Sequence, residues 1–253
     1  MKVMHRVTLT VAAVALLAIS MPVHASKLDD RIESSARNSY VFKTFLQADD
    51  IKIQSVNGVV TLTGTVSGET HKFLAREAVA NLAGVKSVDN RLEVKGEHPA
   101  ENSDAWLMMK VKATLLFHQS VSGLKTEVTG VKDGIVTLRG EATSQAQKDL
   151  TSEYAKDVEG VKDVKNEMTV AKTSVKPGKT VGEKVDDASI TAQVKMTLLS
   201  HRSTSALNTK VKTKDGVVTL RGKAKNAAEK ELAAKFANDV KGVKKVNNQM
   251  TIE

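Results

Sequence analysis

The chain has 253 residues, 38 Lys and Arg against 29 Asp and Glu, 3% aromatic residues and no cysteine. Without cysteine it can form no disulfide, CxxC redox pair or thiolate metal site, and it lacks the residue that carries a bacterial lipid anchor. Single-strand nucleic-acid binders interleave cations with stacking rings, so the low aromatic content argues against a nucleic-acid partner.

Residues 1–25 read as a cleaved export signal. Lys2 and Arg6 form the positive start, residues 7–19 are apolar, and Val23-His24-Ala25 ends on a small residue. The apolar run is short for a membrane span, which needs about 20 residues. The mature chain is therefore expected to be exported and soluble.

One block is then written three times. Asn57-Gly-Val-Val-Thr-Leu-Thr-Gly64 recurs as Asp133-Gly-Ile-Val-Thr-Leu-Arg-Gly140 and as Asp215-Gly-Val-Val-Thr-Leu-Arg-Gly222, at offsets of 76 and 82 residues. Gly84, Gly160 and Gly242, each followed by valine, keep the same offsets. So long a period, with its own turns inside each copy, predicts three small domains over 28–95, 104–172 and 186–253, with a flexible linker at 173–185.

Each copy opens on an acidic residue ahead of an amphipathic stretch. Asp104 precedes Leu107, Val111 and Leu115, and Asp187 precedes Ile190, Val194 and Leu198; Ile32, Ala36 and Tyr40 form a weaker match. The acidic residue is expected to cap this helix. Asn57-Gly58, Asp133-Gly134 and Asp215-Gly216 each predict a hairpin with a type I′ turn. A second helix follows (Leu74, Ala78, Leu82 and their counterparts), expected to close on Gly84, Gly160 or Gly242 as a left-handed cap. The last strand spans 88–94, 164–170 or 246–252. It carries Asn90, Asn166 or Asn248 among its apolar residues, an amide expected to satisfy backbone groups at a bulge or edge. The unit reads α-β-β-α-β, giving an α+β class with two helices on a three-stranded mixed sheet. Residues 95–103 are short enough for copies one and two to dock. Residues 171–185, with Pro177, Gly178 and Gly182, suggest a tether that lets the third copy move independently.

Catalytic patterns are missing. There is no Gly-x-Ser-x-Gly elbow and no Gly-x-Gly-x-x-Gly fingerprint, and Gly178-Lys179-Thr180 lacks the upstream glycine of a phosphate loop. His71 and His98 stand alone in sequence. His118 and His201 occupy matched places at the end of the first helix, where histidine ordinarily partners the helix carbonyls or dipole. No catalytic residue, metal ligand or cofactor is expected.

Charge distinguishes the copies. The first has 9 basic and 9 acidic residues, the second 10 and 10, the third 13 and 7. The excess of six points to an anionic partner for the third copy. The candidate contacts are Arg221, Lys223, Lys225, Lys230, Lys235, Lys241, Lys244 and Lys245, with Trp106, the only tryptophan, as a possible interfacial anchor or inter-module staple.

These repeated motifs, (Asn/Asp)-Gly-x-Val-x-Leu-x-Gly and later Gly-Val-x-x-Val-x-Asn behind an export signal, resemble the BON-domain family, and in character its osmotically inducible periplasmic type. That type usually has two copies, so the third is a departure. The resemblance implies a non-enzymatic periplasmic protein of osmotic or envelope stress that associates peripherally with anionic phospholipid. The alternative it implies is a periplasmic chaperone or interaction module for unfolded or outer-membrane proteins. It transfers no catalytic residue to any position here.

Overall fold

The computed structural model describes residues 27–96, 99–101, 103–121, 126–171, 184–204 and 209–253. Residues 1–25, expected to be an export signal, His98 and nearly all of the expected linker at 173–185 lie outside them. Domain 1 comprises α1 (Lys27–Asn38), α2 (Tyr40–Thr44), β1 (Asp50–Val56), β2 (Val59–Val66), α3 (Glu69–Ala80) and β3 (Ser87–Val94). Domain 2 comprises α4 (Asp104–Phe117), β4 (Thr126–Lys132), β5 (Ile135–Ala142), α5 (Gln145–Lys156), β6 (Asp163–Asn166) and β7 (Thr169–Val170). Domain 3 comprises α6 (Asp187–Ser200), β8 (Thr209–Lys214), β9 (Val217–Ala224), α7 (Ala227–Asn238), β10 (Lys245–Asn248) and β11 (Thr251–Ile252). In each, the middle strand pairs antiparallel with the strand before it and parallel with the last, whose crossover runs through α3, α5 or α7. The result is the expected α+β unit, three times over. No helix among the described residues is long and apolar enough to cross a membrane.

The hairpin turns explain the dipeptides. Asn57, Asp133 and Asp215 all have φ of 53°, and the following Gly58, Gly134 and Gly216 have φ of 80°, 82° and 79°. Two successive left-handed residues make the type I′ turn, which matches the strand twist. The acidic residue at each copy's start is not the cap expected of it. Asp29 accepts from the Asn57 and Gly58 amides at 3.0 and 2.9 Å, Asp104 from those of Asp133 and Gly134 at 3.0 and 3.2 Å, and Asp187 from those of Asp215 and Gly216 at 2.7 and 2.8 Å. Capping falls one residue earlier, where Ser103 accepts from the Trp106 amide and Asp186 from that of Ser189. The first helix is thereby pinned to the hairpin tip by a charge-assisted clamp.

The glycines after the second helix are also displaced from their expected role. The helices end at Asn81, Asp157 and Asp239, and the left-handed Gly84, Gly160 and Gly242 lie in the turn beyond. That turn rests on the hairpin tip, since the Lys86, Lys162 and Lys244 amides donate to the carbonyls of Gly58, Gly134 and Gly216 at 2.8 to 2.9 Å. A Cβ on Gly58 would sit 2.6 Å from the Gly84 carbonyl oxygen. Gly64, Gly140 and Gly222, late in the middle strand, are left-handed as well.

The repeated asparagine, half-buried in each domain, finds backbone partners. Asn166 donates from Nδ2 to the Lys148 carbonyl and accepts the Met168 amide at Oδ1, and Asn248 bridges Lys230 and Met250 in the same way. It ties the last strand to the second helix. In domains 2 and 3 it marks the break that divides that strand in two.

The third domain packs against both of the others instead of standing apart on its tether. Its α6 buries Ala188, Ser189, Ile190, Thr191, Ala192, Gln193, Val194, Thr197, Leu198 and Ser200, covering the helix on every side. Ile190, Val194 and Leu198 enter its own core, while Ala192 and Met196 join the core of domain 1, together with Leu116 and Phe117 from domain 2. Phe117 meets Phe45 edge to face at 5.2 Å between ring centres. Asp186, besides capping α6, accepts the Tyr40 amide at 2.8 Å, and Lys195 reaches Glu77 at 2.6 Å. Its apolar residues face two cores at once, and the area they remove from water drives the helix inside, while its buried polar side chains find partners such as the Asp187 carbonyl for Thr191 and the Ser189 carbonyl for Gln193.

Candidate functional site

A cluster of cations lies on the open face of the domain 3 sheet. Strand side chains alternate between faces. In β8, Val211 enters the core while Lys210, Lys212 and Lys214 are exposed on the opposite face. In β9, Val218 and Leu220 are buried, which sends Arg221 and Lys223 outward, and Lys245 of β10 is exposed beside them. The register places Lys210 directly across from Arg221 and Lys245 next to the Val217 position of β9. Six cations thus share one face. Directly opposed like charges oppose strand pairing, so the face is poised to take up anions.

The sister domain carries acidic partners at the corresponding places. There Arg139 faces Glu127 across the strands and donates to Glu167 at 2.8 Å, while Lys165 approaches Glu167 at 2.7 Å. Hydrogen bonds from Lys165 and Arg139 hold the Glu167 carboxyl below its ordinary value. In domain 3 the same places hold Lys210, Arg221 and Gln249, and Arg221 donates to the neutral Gln249 amide oxygen at 2.8 Å. Among the described residues no carboxylate pairs with Lys210, Lys212, Lys214, Arg221, Lys223 or Lys245.

The fold divides the candidates chosen from sequence. Arg221, Lys223 and Lys245 lie together on this face. Lys244 sits at its edge, donating to the Asp215 carbonyl at 3.0 Å, and Lys225 is exposed in the turn after β9. Lys230 and Lys235 belong to α7, in the helical layer on the other side of the sheet. Lys241 is committed to domain 1, with its ammonium 3.2 Å from the Tyr40 hydroxyl and 4.8 Å from the ring centre. Trp106 lies on α4 of domain 2, packed against that core with Lys110 over its ring at 4.2 Å. Lys210, Lys212 and Lys214 escaped the sequence reading. Their alternation with Val211 was the available signal, since it assigns them to the face that Arg221 and Lys223 share.

His71 is not isolated. Its Nδ1 lies 2.6 Å from Asp49 and 2.8 Å from the Ser67 hydroxyl at the start of α3, an arrangement that closes a loop rather than activating a nucleophile, because both partners meet one nitrogen. No group of three or more His, Asp or Glu side chains among the described residues converges to hold a metal ion.

Three α-β-β-α-β units with matched turn clamps and strand asparagines are accompanied by matches to the BON domain model over residues 28–96, 103–172 and 186–253. The chain belongs to the BON-domain family. It is 30% identical over 200 residues to osmotically-inducible protein Y of Escherichia coli, covering 79% of this chain and 96% of that protein. It is 33% identical over 114 residues to the outer membrane lipoprotein DolP of Haemophilus influenzae and 35% over 114 residues to a 21 kDa hemolysin of Actinobacillus pleuropneumoniae. Each of those alignments covers 45% of this chain and 56% of the relative. The clamps, turns and asparagines recur in all three BON domains, whereas the unpaired basic face is a feature of the third.

Proposed function

We propose that this BON protein is a non-enzymatic, exported envelope-stress protein that associates peripherally with anionic phospholipid through the open sheet face of its third domain. The observation that carries the reading is the alignment of Lys210, Lys212, Lys214, Arg221, Lys223 and Lys245 on one face, with Gln249 where domain 2 has Glu167. At about 1 kcal/mol for each basic residue near an anionic bilayer, three or four engaged cations suffice for reversible attachment. The relatedness to osmotically-inducible protein Y and to DolP supports an envelope setting. Flotation with vesicles of phosphatidylcholine carrying increasing phosphatidylglycerol is expected to recover more protein as the anionic fraction rises, and less as salt is added. Equal recovery on neutral vesicles would overturn the reading.

A second reading, as a chaperone or interaction module for unfolded or envelope proteins, draws on a groove between α3, α4 and α6. It is lined by Phe73, Trp106, Met109, Met196 and Leu199, of which Met109 and Leu199 are each 45% exposed. Suppression of client aggregation that is indifferent to lipid charge and lost in Met109→Glu would favour it.

A further inference from the structure

The matched histidines do not serve their own helices. Each leaves the end of the first helix of its domain and reaches across to the other domain. His118 Nδ1 lies 3.0 Å from Asp239, the residue that ends α7, and His201 Nδ1 lies 3.0 Å from Asp157, which ends α5. The two rings then meet, Nε2 to Nε2, at 2.8 Å. The surroundings repeat the same approximate twofold relation. The Gln119 amide donates to the Asp239 carbonyl at 2.9 Å and the Arg202 amide to that of Asp157 at 2.8 Å. Ser120 donates to the Asp239 carboxylate and Ser203 to that of Asp157. His118 packs on Tyr154 at 3.9 Å and His201 stacks on Phe236 at 4.0 Å. Both histidines are 2% exposed or less.

Proton counting decides what this cluster can do. Three hydrogen bonds run through the rings: Nδ1 to Asp239, Nε2 to Nε2, and Nδ1 to Asp157. Two neutral imidazoles carry one hydrogen each, so the arrangement needs one proton more. With that proton missing, a ring lone pair faces either a carboxylate or the other ring. With a further proton added, two N–H groups point at each other across 2.8 Å inside a buried interface, where nothing screens them. We infer that the His118–His201 pair is a proton-operated latch between domains 2 and 3, closed while it holds one proton beyond the two neutral rings and opened by a second.

The other ionisable groups around the pair are compatible with this. Tyr154 of α5 donates its hydroxyl to Asp239 at 3.0 Å, and burial, aided by that carboxylate, pushes the phenol well above its ordinary range, so it stays neutral. Burial pulls His118 below the ordinary imidazole value against the attraction of Asp239. Burial alone would raise Asp157, but the bonds from His201 and Ser203 leave it below the ordinary carboxylate value, so it stays charged while the histidines titrate. Arg202, following α6, approaches Asp157 at 3.9 Å, and Glu153, Lys156 and Lys235 line the adjoining cavity. For the sign, the docked pair binds one added proton and the freed rings bind two at low pH. The freed rings hold no added proton at high pH, so docking is strongest around the ordinary imidazole value. It weakens by up to about tenfold for each pH unit below, where the freed rings take the second proton, and weakens again above, where the freed rings hold one proton fewer than the docked pair.

The test is amide hydrogen exchange on the full chain from pH 8 to pH 4.5, corrected for intrinsic rates, read at Gln119 and Arg202. Wild type is expected to lose protection about tenfold per pH unit below about pH 6, while His201→Gln, which keeps a polar side chain but takes no second charge, holds its protection within about twofold. Protection that is flat in wild type, or falls equally in His201→Gln, would overturn the latch. Should the variant fail to dock at any pH, 15N spectra of the wild-type rings decide. Two separate titration steps, the lower one below the ordinary imidazole value, support the latch, and joint titration of both rings at that value refutes it.

Discussion

Replacing Asp29 by alanine tests whether the first residues of each BON domain act as a turn clamp. Asp29 is 2% exposed and accepts the Ser55 hydroxyl at 2.6 Å, the Gly58 amide at 2.9 Å and the Asn57 amide at 3.0 Å. Hydrogen bonds to a charged acceptor contribute about 1.5–3 kcal/mol each, and a buried donor left unpaired costs about 1–3 kcal/mol. Ser55 and Gly58 are buried, whereas Asn57 is exposed and can turn to water. Two orphaned donors, offset by the relief of no longer burying a carboxylate, give a net loss of about 3 kcal/mol. In domain 2, Asp104 holds the amides of Asp133 and Gly134, and Val131 stands where domain 1 has Ser55. One buried donor is lost there, for about 1.5 kcal/mol. Urea unfolding followed by circular dichroism should therefore rank Asp29→Ala as about twice as damaging as Asp104→Ala. Increased exchange at the Gly58 or Gly134 amide would place each effect at its own turn. An Asp29→Ala protein within about 0.5 kcal/mol of wild type, or one less damaged than Asp104→Ala, would refute the clamp.

Phe117→Ala should cost about 3–5 kcal/mol and, because the ring packs in the core of domain 1, should accelerate hydrogen exchange there as well as in domain 2. Gly58→Ala should destabilise by about 2 kcal/mol in urea, combining the left-handed φ of 80° with the collision against the Gly84 carbonyl. Asn248→Ala should lose about 1–2 kcal/mol, leaving the Met250 amide and the Lys230 carbonyl without their side-chain partner. Gln249→Glu should restore to domain 3 the carboxylate that domain 2 carries, weakening vesicle binding about fivefold, as expected for roughly one cancelled charge, with little change in the urea midpoint.

The local fold was legible where a residue has few alternatives. A type I′ turn demands two left-handed residues, so Asn57-Gly58 and its repeats announced the hairpins, and the apolar periods of Leu107 or Ile190 announced helices. The asparagines were read correctly because a polar group inside an apolar strand must find backbone partners. What escaped were contacts between distant segments. Asp29, Asp104 and Asp187 stand at the starts of helices and so look like caps, and only the folded hairpin reveals the amides they hold. The burial of α6 was hidden because a helix's apolar stripe reports its own core, while Ala192 and Met196 serve another domain. His118 and His201 were recognised as a matched pair, yet nothing in a one-dimensional pattern shows that each reaches the other's domain. On the basic face, a count of charge per copy singled out the third domain without showing which of its cations share a face. Strand alternation was needed to join Lys210, Lys212 and Lys214 to Arg221 and to set Lys230, Lys235 and Lys241 apart.

Two charge-reversal proteins compared on phosphatidylglycerol vesicles test the central claim most directly. Lys210→Glu with Lys223→Glu changes the open sheet face, and Lys230→Glu with Lys235→Glu changes net charge equally in the helical layer. The account predicts that the first protein loses flotation while the second retains most of it, with urea midpoints close to wild type in both. Equal loss in the two proteins, or greater loss in the second, would contradict the assignment of membrane association to the sheet face of the third domain.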